Sequence, residues 1–311
     1  MSIQWYPGHM HKAQKEIAHA LPKVDLLIEV IDARIPFSSE NPLIAKIRGT
    51  KPCIKVLSKC DLADELVTQE WQEYLERERY VKTLAITIQD QAKIRLLPEL
   101  CYKLLPEKAR SVKKINAMIV GIPNVGKSTI INILAGKSIA KTGNEPAVTK
   151  IQQRIQVGDG LVLHDTPGIL WPKQEYEKSS FRLASTGAVK DTALEYAEVA
   201  CFAVEYLLKA YPELLKTRYE LDELPSSELD FFERVGRKKG CLTVGGRVDL
   251  NKISQIFINE FRSGILGSIT METPSMIESE KVRYQQELEK KSAQKQARLD
   301  NFKKGKRDSQ S

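Results

Sequence analysis

Short apolar runs alternate with polar stretches of helical periodicity along the first half of the chain. The apolar runs cover residues 26–31, 53–57 and 84–88, and each has the length of a buried strand. Polar segments with helical spacing, such as residues 66–80, separate these runs. Strands that alternate with helices predict a mostly parallel sheet with flanking helices, so the pattern favours an α/β fold.

A further strand, a glycine-containing loop and a helix follow in the middle of the chain. Residues 115–120 are apolar, and residues 127–135 have helical spacing before Gly136, which can cap a helix. Residues 151–157 and 160–164 then show the pattern of a hairpin, with a Gly-Asp-Gly turn between them.

Helical patterns dominate the last part of the chain. Apolar residues recur at helical spacing in residues 194–208, 227–235 and 250–261, as they also do in residues 9–21. We therefore predict an α/β domain, a separate C-terminal all-helical domain and a basic, partly disordered tail, with boundaries at residues 1–175, 176–275 and 276–311.

The charge of the chain is positive and concentrated near the C-terminus. The 311 residues carry a net charge of +8, and ten Lys/Arg against four Asp/Glu lie from Lys281 onward. A basic chain favours polyanionic partners, and nucleic acid above all. The alternative is a solvated surface with a basic tail and no nucleic-acid partner.

The sequence lacks the features of secreted and membrane proteins. The five cysteines are scattered without a C-x-x-C pair, which fits a reducing compartment and argues against a zinc site. The first residues form no apolar signal segment, and no run reaches the roughly 18 apolar residues of a membrane span. We expect a cytoplasmic protein that needs no membrane, and a monomer.

The sequence GIPNVGKST, residues 121–129, carries the strongest chemical signal and matches the P-loop pattern. The backbone N–H groups of such a loop surround phosphates at a helix N-terminus, its lysine reaches the β- and γ-phosphates, and its serine ligates Mg²⁺. The alternative, a structural glycine loop, is disfavoured by the predicted strand before it and helix after it. The predicted nucleotide-binding residues here are Asn124, Val125, Gly126, Lys127, Ser128 and Thr129.

A second motif, DTPG, lies at the end of a predicted strand. Asp165 has the position of an aspartate that holds Mg²⁺, and Gly168 leaves its N–H free to approach the γ-phosphate. Thr149 lies between the two motifs, where a threonine can close on Mg²⁺ and order a switch loop. We therefore predict Ser128, Thr149 and Asp165 as magnesium ligands.

A base-recognition motif comes before the P-loop. The letters SKCD follow the strand at residues 53–57 and resemble the guanine-reading N-K-x-D of GTPases, with Ser58 in place of Asn. Asp61 can accept two N–H bonds from the Watson–Crick edge of guanine, and the stem of Lys59 can lie along the base. Because several loops build a site at the carboxyl ends of parallel strands, the early position fits a circularly permuted chain. An exposed turn is the alternative.

Together these motifs resemble the circularly permuted GTPases, and most closely the YlqF/RbgA family of the ribosome biogenesis GTPase A type. The resemblance is carried by WYPGHM, IEVIDARIPFSSENP, SKCD, GIPNVGKST, PAVTK and DTPGIL, and it continues through LASTGAVKD, RKKGCL and FRSGILG. It implies a circularly permuted P-loop GTPase domain followed by a helical domain that binds RNA or the ribosome.

The resemblance also implies a function. The chain would hydrolyse GTP to GDP, with Mg²⁺ as cofactor and with stimulation by ribosomal particles. It would bind precursors of the large ribosomal subunit, made of rRNA and ribosomal proteins, in the GTP state. It would promote late maturation of these particles and leave after hydrolysis.

The chain departs from the family pattern in two motifs. Ser58 is shorter than the asparagine that holds neighbouring loops and contacts the purine, so weaker nucleotide affinity is expected. Ala147 replaces the glycine usual in the switch segment, which restricts that backbone. For the second base loop, which offers backbone N–H groups, the nearest matches are Thr87 and Ile88 in AITIQDQ.

Three sources could position the attacking water. Ile169 follows the D-x-x-G motif, where Ras-like enzymes carry a glutamine, and an isoleucine cannot orient water. The resemblance points to His9, with Lys127 and Thr149 as the other catalytic residues, although His9 could instead pack or cap the N-terminal helix. Asn124 resembles the asparagine that ligates K⁺ in cation-dependent GTPases, where K⁺ could replace an arginine finger, although Asn124 could instead be only a spacer in the P-loop. The ribosome could also supply groups in trans.

Other functions fit parts of the sequence. An ATPase or a metabolic kinase would share the P-loop but would make no use of Asp61. A nucleotide-independent RNA-binding or scaffold protein with a decayed site is a further alternative, and the intact Lys127, Ser128, Asp165 and Gly168 argue against it. A GTP-binding, RNA-binding regulator outside ribosome assembly would share all the motifs. The helical region carries a basic cluster, which comprises Arg237, Lys238, Lys239, Arg247 and Arg262. A solvated face is the default interpretation of such a cluster, and it is the family resemblance that favours contact with rRNA.

Overall fold

The computed structural model describes residues 15, 17–111, 113–139, 153–168, 170, 176–189 and 195–308. The chain separates into two compact units, with the boundary between Glu272 and Thr273. Within the described residues, the first unit contains a sheet and the helices as far as Arg262, and the second contains the helix that follows.

The first unit is built on a mostly parallel sheet. Its strands are β1 (Leu26–Asp32), β2 (Cys53–Ser58), β3 (Val81–Ala85), β4 (Ile115–Gly121), β5 (Gln153–Val157) and β6 (Leu161–Asp165). Their order across the sheet is β3-β2-β1-β4-β6-β5. Neighbouring strands are parallel except β5 and β6, which form the antiparallel pair of a hairpin. The predicted α/β fold class is confirmed.

The strand order shows how the permuted chain rebuilds the sheet. β1 lies beside β4, although β2 and β3 come between them in the chain. Since β2, β1 and β4 are parallel, their carboxyl ends meet at one edge. The base motif after β2 and the P-loop after β4 therefore lie at the same edge, although the base motif is encoded first.

The central strands are mostly apolar because neither face is open to solvent. Every residue of β1 and β2 is buried, as expected of parallel strands in an α/β protein. The bounds of β3 differ from the predicted residues 84–88. Pairing with β2 places Val81 opposite Cys53 and Ala85 opposite Leu57, so cross-strand register fixes this strand rather than the local apolar run.

Helices connect the strands of the first unit. They are α1 (Pro36–Ser39), α2 (Pro42–Arg48), α3 (Glu65–Leu75), α4 (Gln91–Ile94), α5 (Leu97–Leu104), α6 (Pro106–Ala109) and α7 (Lys127–Ala135), with 3-10 turns at Leu21–Lys23 and Cys60–Leu62. The Asp64 carboxylate caps α3 by accepting the backbone N–H groups of Leu66 and Val67. The bounds of α7 agree with the prediction from its periodicity.

A helical region follows β6 within the first unit. Its helices are α8 (Glu177–Ser185), α9 (Tyr196–Ala210), α10 (Pro212–Tyr219), α11 (Glu228–Lys238) and α12 (Leu250–Arg262). Phe231, Phe232 and Phe257 meet edge to face in the core between α11 and α12. Periodicity predicted α9, α11 and α12 but not α8, since α8 buries small polar residues such as Ser179 and Ser185 that form no apolar stripe.

The second unit is described here as one helix, α13 (Pro274–Asp308). The helix covers most of residues 276–311, for which we predicted a basic, partly disordered tail. Among the described residues, no helix combines the length and the apolar character that crossing a membrane requires.

Candidate nucleotide-binding site

The P-loop runs from β4 into α7 through positions where glycine is required. A Cβ atom on Gly121 would lie 2.4 Å from the carbonyl oxygen of Val30 in β1. Gly126, the residue before α7, has a φ of +101°, which L-residues rarely adopt. Asn124 also has a positive φ, 58°, which asparagine tolerates better than most residues. These positions allow the loop to turn tightly beside β1.

Lys127 begins α7, and its ammonium group lies inside the loop. Its Nζ donates to the carbonyl oxygens of Gly121 at 3.0 Å and Ile122 at 2.8 Å. Burial lowers the pKa of Lys127 to about 8, although the charge of Asp165 acts in the opposite direction. A buried ammonium group at this point of a P-loop is placed to bind phosphate oxygens. The next two residues, Ser128 and Thr129, are half-buried at the start of the helix.

Asp165 ends β6 beside the P-loop strand, where it pairs in register with Ile119. Within the described residues, neither oxygen of its buried carboxylate makes a hydrogen bond of normal geometry. Burial raises the pKa of Asp165 to about 6, while Lys127 and the backbone N–H of Thr166 lower it. A buried carboxylate without hydrogen-bond partners destabilises the folded state unless it binds a cation. Carboxylate oxygens are ligands that Mg²⁺ prefers. The donor set therefore fits the magnesium ion that the motif implies.

Gly168 brings the D-x-x-G loop against the P-loop. A Cβ atom on this residue would lie 2.9 Å from Cα of Pro123 and 3.2 Å from Nζ of Lys127. Because Pro123 offers its backbone at this contact, no larger residue fits without a shift of the P-loop. The two motifs that the sequence predicts for phosphate and metal binding are thus in direct contact.

Ser58 joins the base loop to the P-loop. Its buried hydroxyl lies 2.7 Å from the carbonyl oxygen of Val125 and 2.9 Å from that of Ile31. A hydroxyl has one hydrogen, so it donates to one of these oxygens or shares the hydrogen between them. The serine that stands in place of asparagine therefore links the base loop to the P-loop and to β1.

Lys59 is fixed by an acidic partner at the end of β1. Its backbone is left-handed, with a φ of 58°, and its Nζ donates to Oδ2 of Asp32 at 3.0 Å. Asp32 also accepts two hydrogen bonds from the Arg34 guanidinium, at 2.9 and 2.7 Å, and one from the Arg34 backbone N–H at 3.1 Å. Burial alone would raise the pKa of Asp32, but the charges of Arg34 and Lys59 hold it well below its usual range. The ion pair restrains the stem that is predicted to lie along the base.

Asp61 is exposed on the 3-10 turn Cys60–Leu62. Its carboxylate takes part in no hydrogen bond or ion pair with the part of the chain that the structure describes. The N–H of Cys60 donates to the carbonyl oxygen of Ile86 at 3.1 Å, and Thr87 follows directly. The two segments predicted to contact the base are therefore neighbours, and the Asp61 carboxylate can accept N–H groups from a ligand.

Part of the predicted site lies outside the described residues. His9, Thr149 and Ile169 fall there, together with Ala147. The catalytic role of His9 and the catalytic and metal-binding roles of Thr149 stay predictions. Of the three predicted magnesium ligands, Ser128 and Asp165 lie within the described residues.

Side chains from three elements cap the C-terminus of α8, which sequence reasoning did not foresee. At distances between 2.8 and 3.2 Å, Asn124 donates to Gly187, Arg34 to Thr186, and Arg262 to Ala184 and Ser185. The last carbonyl groups of a helix lack partners within it, and cations near this end also complement the helix dipole. Asn124 and Arg34 both lie in motifs that the sequence analysis identified. Their shared contact with the end of α8 could not be predicted from local spacing, because Gly187 is 63 residues from Asn124.

Comparison with known proteins covers most of the chain. A family described as 50S ribosome-binding GTPase matches residues 116–229. The ribosome biogenesis GTPase A of Priestia megaterium is 47% identical over 89% of this chain and 99% of its own length. The protein of that name from Bacillus cereus is 46% identical over 88% of this chain and 95% of its own.

A solved structure has the same fold. GNP-bound YlqF from T. maritima is 28% identical, covers 85% of this chain and 98% of its own, and gives a TM-score of 0.60. The P-loop, the D-x-x-G loop and the early base motif meet at one edge of a permuted sheet, and the relatives match nearly end to end. The chain therefore belongs to the ribosome biogenesis GTPase A family of circularly permuted GTPases.

Proposed function

We propose that this chain hydrolyses GTP while it assists assembly of the large ribosomal subunit. The proposal is carried by the meeting of three loops: the base loop bonds to the P-loop through Ser58, and the D-x-x-G loop touches the P-loop at Gly168. The relatives named ribosome biogenesis GTPase A support the same function.

The nucleotide is held by backbone and charged groups from these loops. Backbone N–H groups of residues 124–129 surround the phosphates, and Lys127 exchanges its two carbonyl partners for phosphate oxygens. Asp61 accepts the N1–H and 2-amino groups of guanine, while the stem of Lys59 lies along the base. Thr87 belongs to the neighbouring loop that completes the base site.

Bound Mg²⁺ would neutralise charge on the β- and γ-phosphates. Ser128 and Asp165 would hold it, and Thr149 would join them when the switch loop closes. The buried Asp165 carboxylate, which makes no normal hydrogen bond within the described residues, supports this assignment.

The attacking water needs a positioning group other than Ile169. In this proposal His9 supplies it, as the family resemblance implies, and ribosomal particles stimulate the reaction. The oxygen of the Asn124 side chain could also ligate K⁺, since donation from its nitrogen to Gly187 fixes the orientation of the amide. Lys127 and Thr149 complete the catalytic set.

Basic residues of the helical region would contact rRNA phosphates without reading sequence. Arg247 is exposed, and its side chain forms no ion pair within the described residues. Arg237 and Lys238 form exposed ion pairs with nearby glutamates, and such pairs exchange for phosphate at little cost. Arg262 instead caps α8. The protein would bind precursor particles in the GTP state, promote late maturation and leave after hydrolysis, as a cytoplasmic monomer.

The test is GTP turnover with and without precursors of the large subunit, in K⁺ and in Na⁺, for the wild type and Lys127→Ala. Turnover should rise with particles, and Lys127→Ala should lower it at least about a hundredfold, because the phosphate charge loses its main partner. Turnover that Lys127→Ala leaves unchanged, or a preference for ATP over GTP, would contradict the proposal. A dependence on K⁺ would assign the cation to Asn124.

A further inference from the structure

Residues 268–272, here called the strap, run beside the base loop although they lie near the end of the first unit. The N–H of Ile269 donates to the carbonyl oxygen of Leu62 at 2.9 Å, and the N–H of Met271 donates to that of Arg34 at 2.8 Å. Leu62 ends the turn that carries Asp61, and Arg34 follows β1. The backbone of the strap therefore bridges the loops after β1 and β2.

Side chains of the strap extend this contact to both sides of the turn. The hydroxyl of Ser268 donates to the carbonyl oxygen of Asp61 at 3.3 Å. The N–H of Asp64 donates to Oγ1 of Thr270 at 3.0 Å, and Thr270 is fully buried. The turn that carries the Asp61 carboxylate is therefore held at Asp61 itself and at Asp64.

The helical region holds the other side of the strap. Tyr206, in α9, donates its hydroxyl to the carbonyl oxygen of Thr270 at 2.9 Å. The hydroxyl of Tyr211 lies 3.3 Å from the same oxygen and 3.3 Å from Oδ2 of Asp64. Burial raises the pKa of both tyrosines, so both hydroxyls stay protonated donors. The strap thus lies between the base loop and two fixed hydroxyl groups.

The end of the strap is anchored by a buried carboxylate. Glu272 accepts the backbone N–H of Phe37 at 2.8 Å and also bonds to Ser38 at the start of α1. Arg182 of α8 lies 3.4 Å from the same carboxylate. The backbone carbonyl oxygen of Glu272 accepts a hydrogen bond from Nε1–H of Trp71 in α3 at 2.8 Å. The strap cannot slide without breaking these bonds, so it forms a rigid edge for the base loop.

We infer that the strap is a positioning element for guanine recognition, with Ser268 and Thr270 setting the position of Asp61. The inference rests on the proposed GTPase function, in which Asp61 reads the base. A carboxylate gains from two guanine N–H groups only when both of its oxygens are correctly placed. The Asp61 carboxylate is exposed and forms no hydrogen bond or ion pair with the described residues. The backbone of its turn must therefore hold it in position, and the strap supplies hydrogen bonds to that backbone.

Inosine nucleotides separate positioning from general stability, because inosine lacks the 2-amino group that one oxygen of Asp61 would accept. The readout is the ratio of the dissociation constants for ITP and GTP. In the wild type this ratio should be about ten or more, the value of one hydrogen bond to a charged acceptor. Asp61→Ala sets the lower limit, near one.

The test variant is the double substitution Ser268→Ala with Thr270→Val, which removes both hydroxyls and keeps the size of the side chains. We expect its ITP/GTP ratio to fall at least about threefold, whereas Thr270→Ser, which retains the hydroxyl, should keep the wild-type ratio. Ser263→Ala is the matched control, because this exposed serine bonds within its own helix. If the double variant does not fold, the same threefold criterion applies to Tyr211→Phe.

The outcomes are distinguishable. A smaller fall in the ratio, or equal weakening of GTP and ITP, overturns the inference and leaves a structural role only. A wild type that does not prefer GTP over ITP would instead contradict the reading of Asp61 in the proposed function, before the strap is tested.

Discussion

At the scale of single residues, the site shows which placements follow from local spacing. The P-loop and D-x-x-G letters predicted Lys127, Asp165 and Gly168 because phosphate binding depends on a few adjacent positions. Spacing could not predict that Ser58 would bond to Ile31 and Val125, since those oxygens come from β1 and from the P-loop, which are distant from Ser58 in sequence. The expected loss of nucleotide affinity therefore concerns the contact between Ser58 and the base. The contacts of Ser58 with β1 and with the P-loop are present.

The Ser58 contact can be tested by substitution with alanine. Ser58→Ala removes the hydrogen bond and leaves the Val125 carbonyl oxygen without this donor, so the free energy of unfolding should fall by about 1 kcal/mol. GTP affinity should fall several-fold, because the P-loop and the base loop are no longer joined. Chemical denaturation and nucleotide titration measure the two effects. Ser254→Ala is the control, since the buried Ser254 hydroxyl has no hydrogen-bond partner within the described residues; equal effects of both substitutions would contradict the prediction.

Gly168 offers a second test at this scale. Gly168→Ala places a Cβ atom 2.9 Å from Cα of Pro123, so the D-x-x-G loop must move away from Lys127. We expect turnover to fall at least about tenfold with little loss of stability, because the geometry of phosphoryl transfer depends on sub-ångström positioning. Gly245→Ala, at a position with nothing within 4 Å, should keep full turnover. Wild-type turnover in Gly168→Ala would show that this contact is not needed.

At the scale of elements, the apolar runs predicted the central strands, but not the charges buried in them. Glu29 in β1 lies opposite Lys55 in β2, and both are buried. Lys55 is paired with Glu40, which leaves Glu29 with the N–H of Asn41 as a hydrogen-bond donor. The pattern of apolar and polar positions along the sequence cannot predict such a network. The network depends on the register between β1 and β2, which are separated in sequence.

Glu29 should make stability depend on pH. Burial, and next the charge of Glu40, raise the pKa of Glu29 to about 7 from 4.5, against the lowering effect of Lys55. The folded state then binds more protons than the unfolded state between these values, so stability falls as pH rises from about 4.5 to about 7. Glu29→Gln removes this term, and its free energy of unfolding relative to wild type should improve by about 1 to 3 kcal/mol over that interval.

Chemical denaturation at pH 5 and pH 7.5, roughly spanning the interval, measures this difference. The exposed substitution Glu65→Gln should give the same difference from wild type at both pH values. A difference for Glu29→Gln that does not change with pH would mean that Lys55 keeps Glu29 ionised throughout.

At the scale of the whole molecule, the early position of the base motif predicted the permuted sheet, and the strand order confirms it. The D-x-x-G motif also precedes the helical region in the chain, and α8 is the first helix of that region among the described residues. The capping of α8 by Asn124 and Arg262 could not be predicted, because these two residues come from distant parts of the chain. Through this cap the P-loop and α12 hold the same helix end.

The shared cap of α8 leads to a prediction about how the bound nucleotide changes the affinity for ribosomal particles. If closing of the D-x-x-G loop on the γ-phosphate moves α8, then the wild type should bind large-subunit precursors more tightly with a non-hydrolysable GTP analogue than with GDP. Arg262→Leu breaks the bonds to Ala184 and Ser185, so it should bring the two particle affinities to within about twofold, because α8 no longer carries the change to α12. Particle binding in both nucleotide states measures this ratio.

Arg247→Leu is the matched control, since it removes the same charge from an exposed position away from the cap. Loss of a phosphate contact should weaken particle binding equally in both nucleotide states and reduce its salt dependence, while the ratio of affinities stays that of the wild type. A wild-type ratio in Arg262→Leu would show that coupling bypasses the α8 cap. A wild type with equal affinities in the two states would contradict the switch itself, because a ligand with no differential interaction cannot shift a conformational equilibrium.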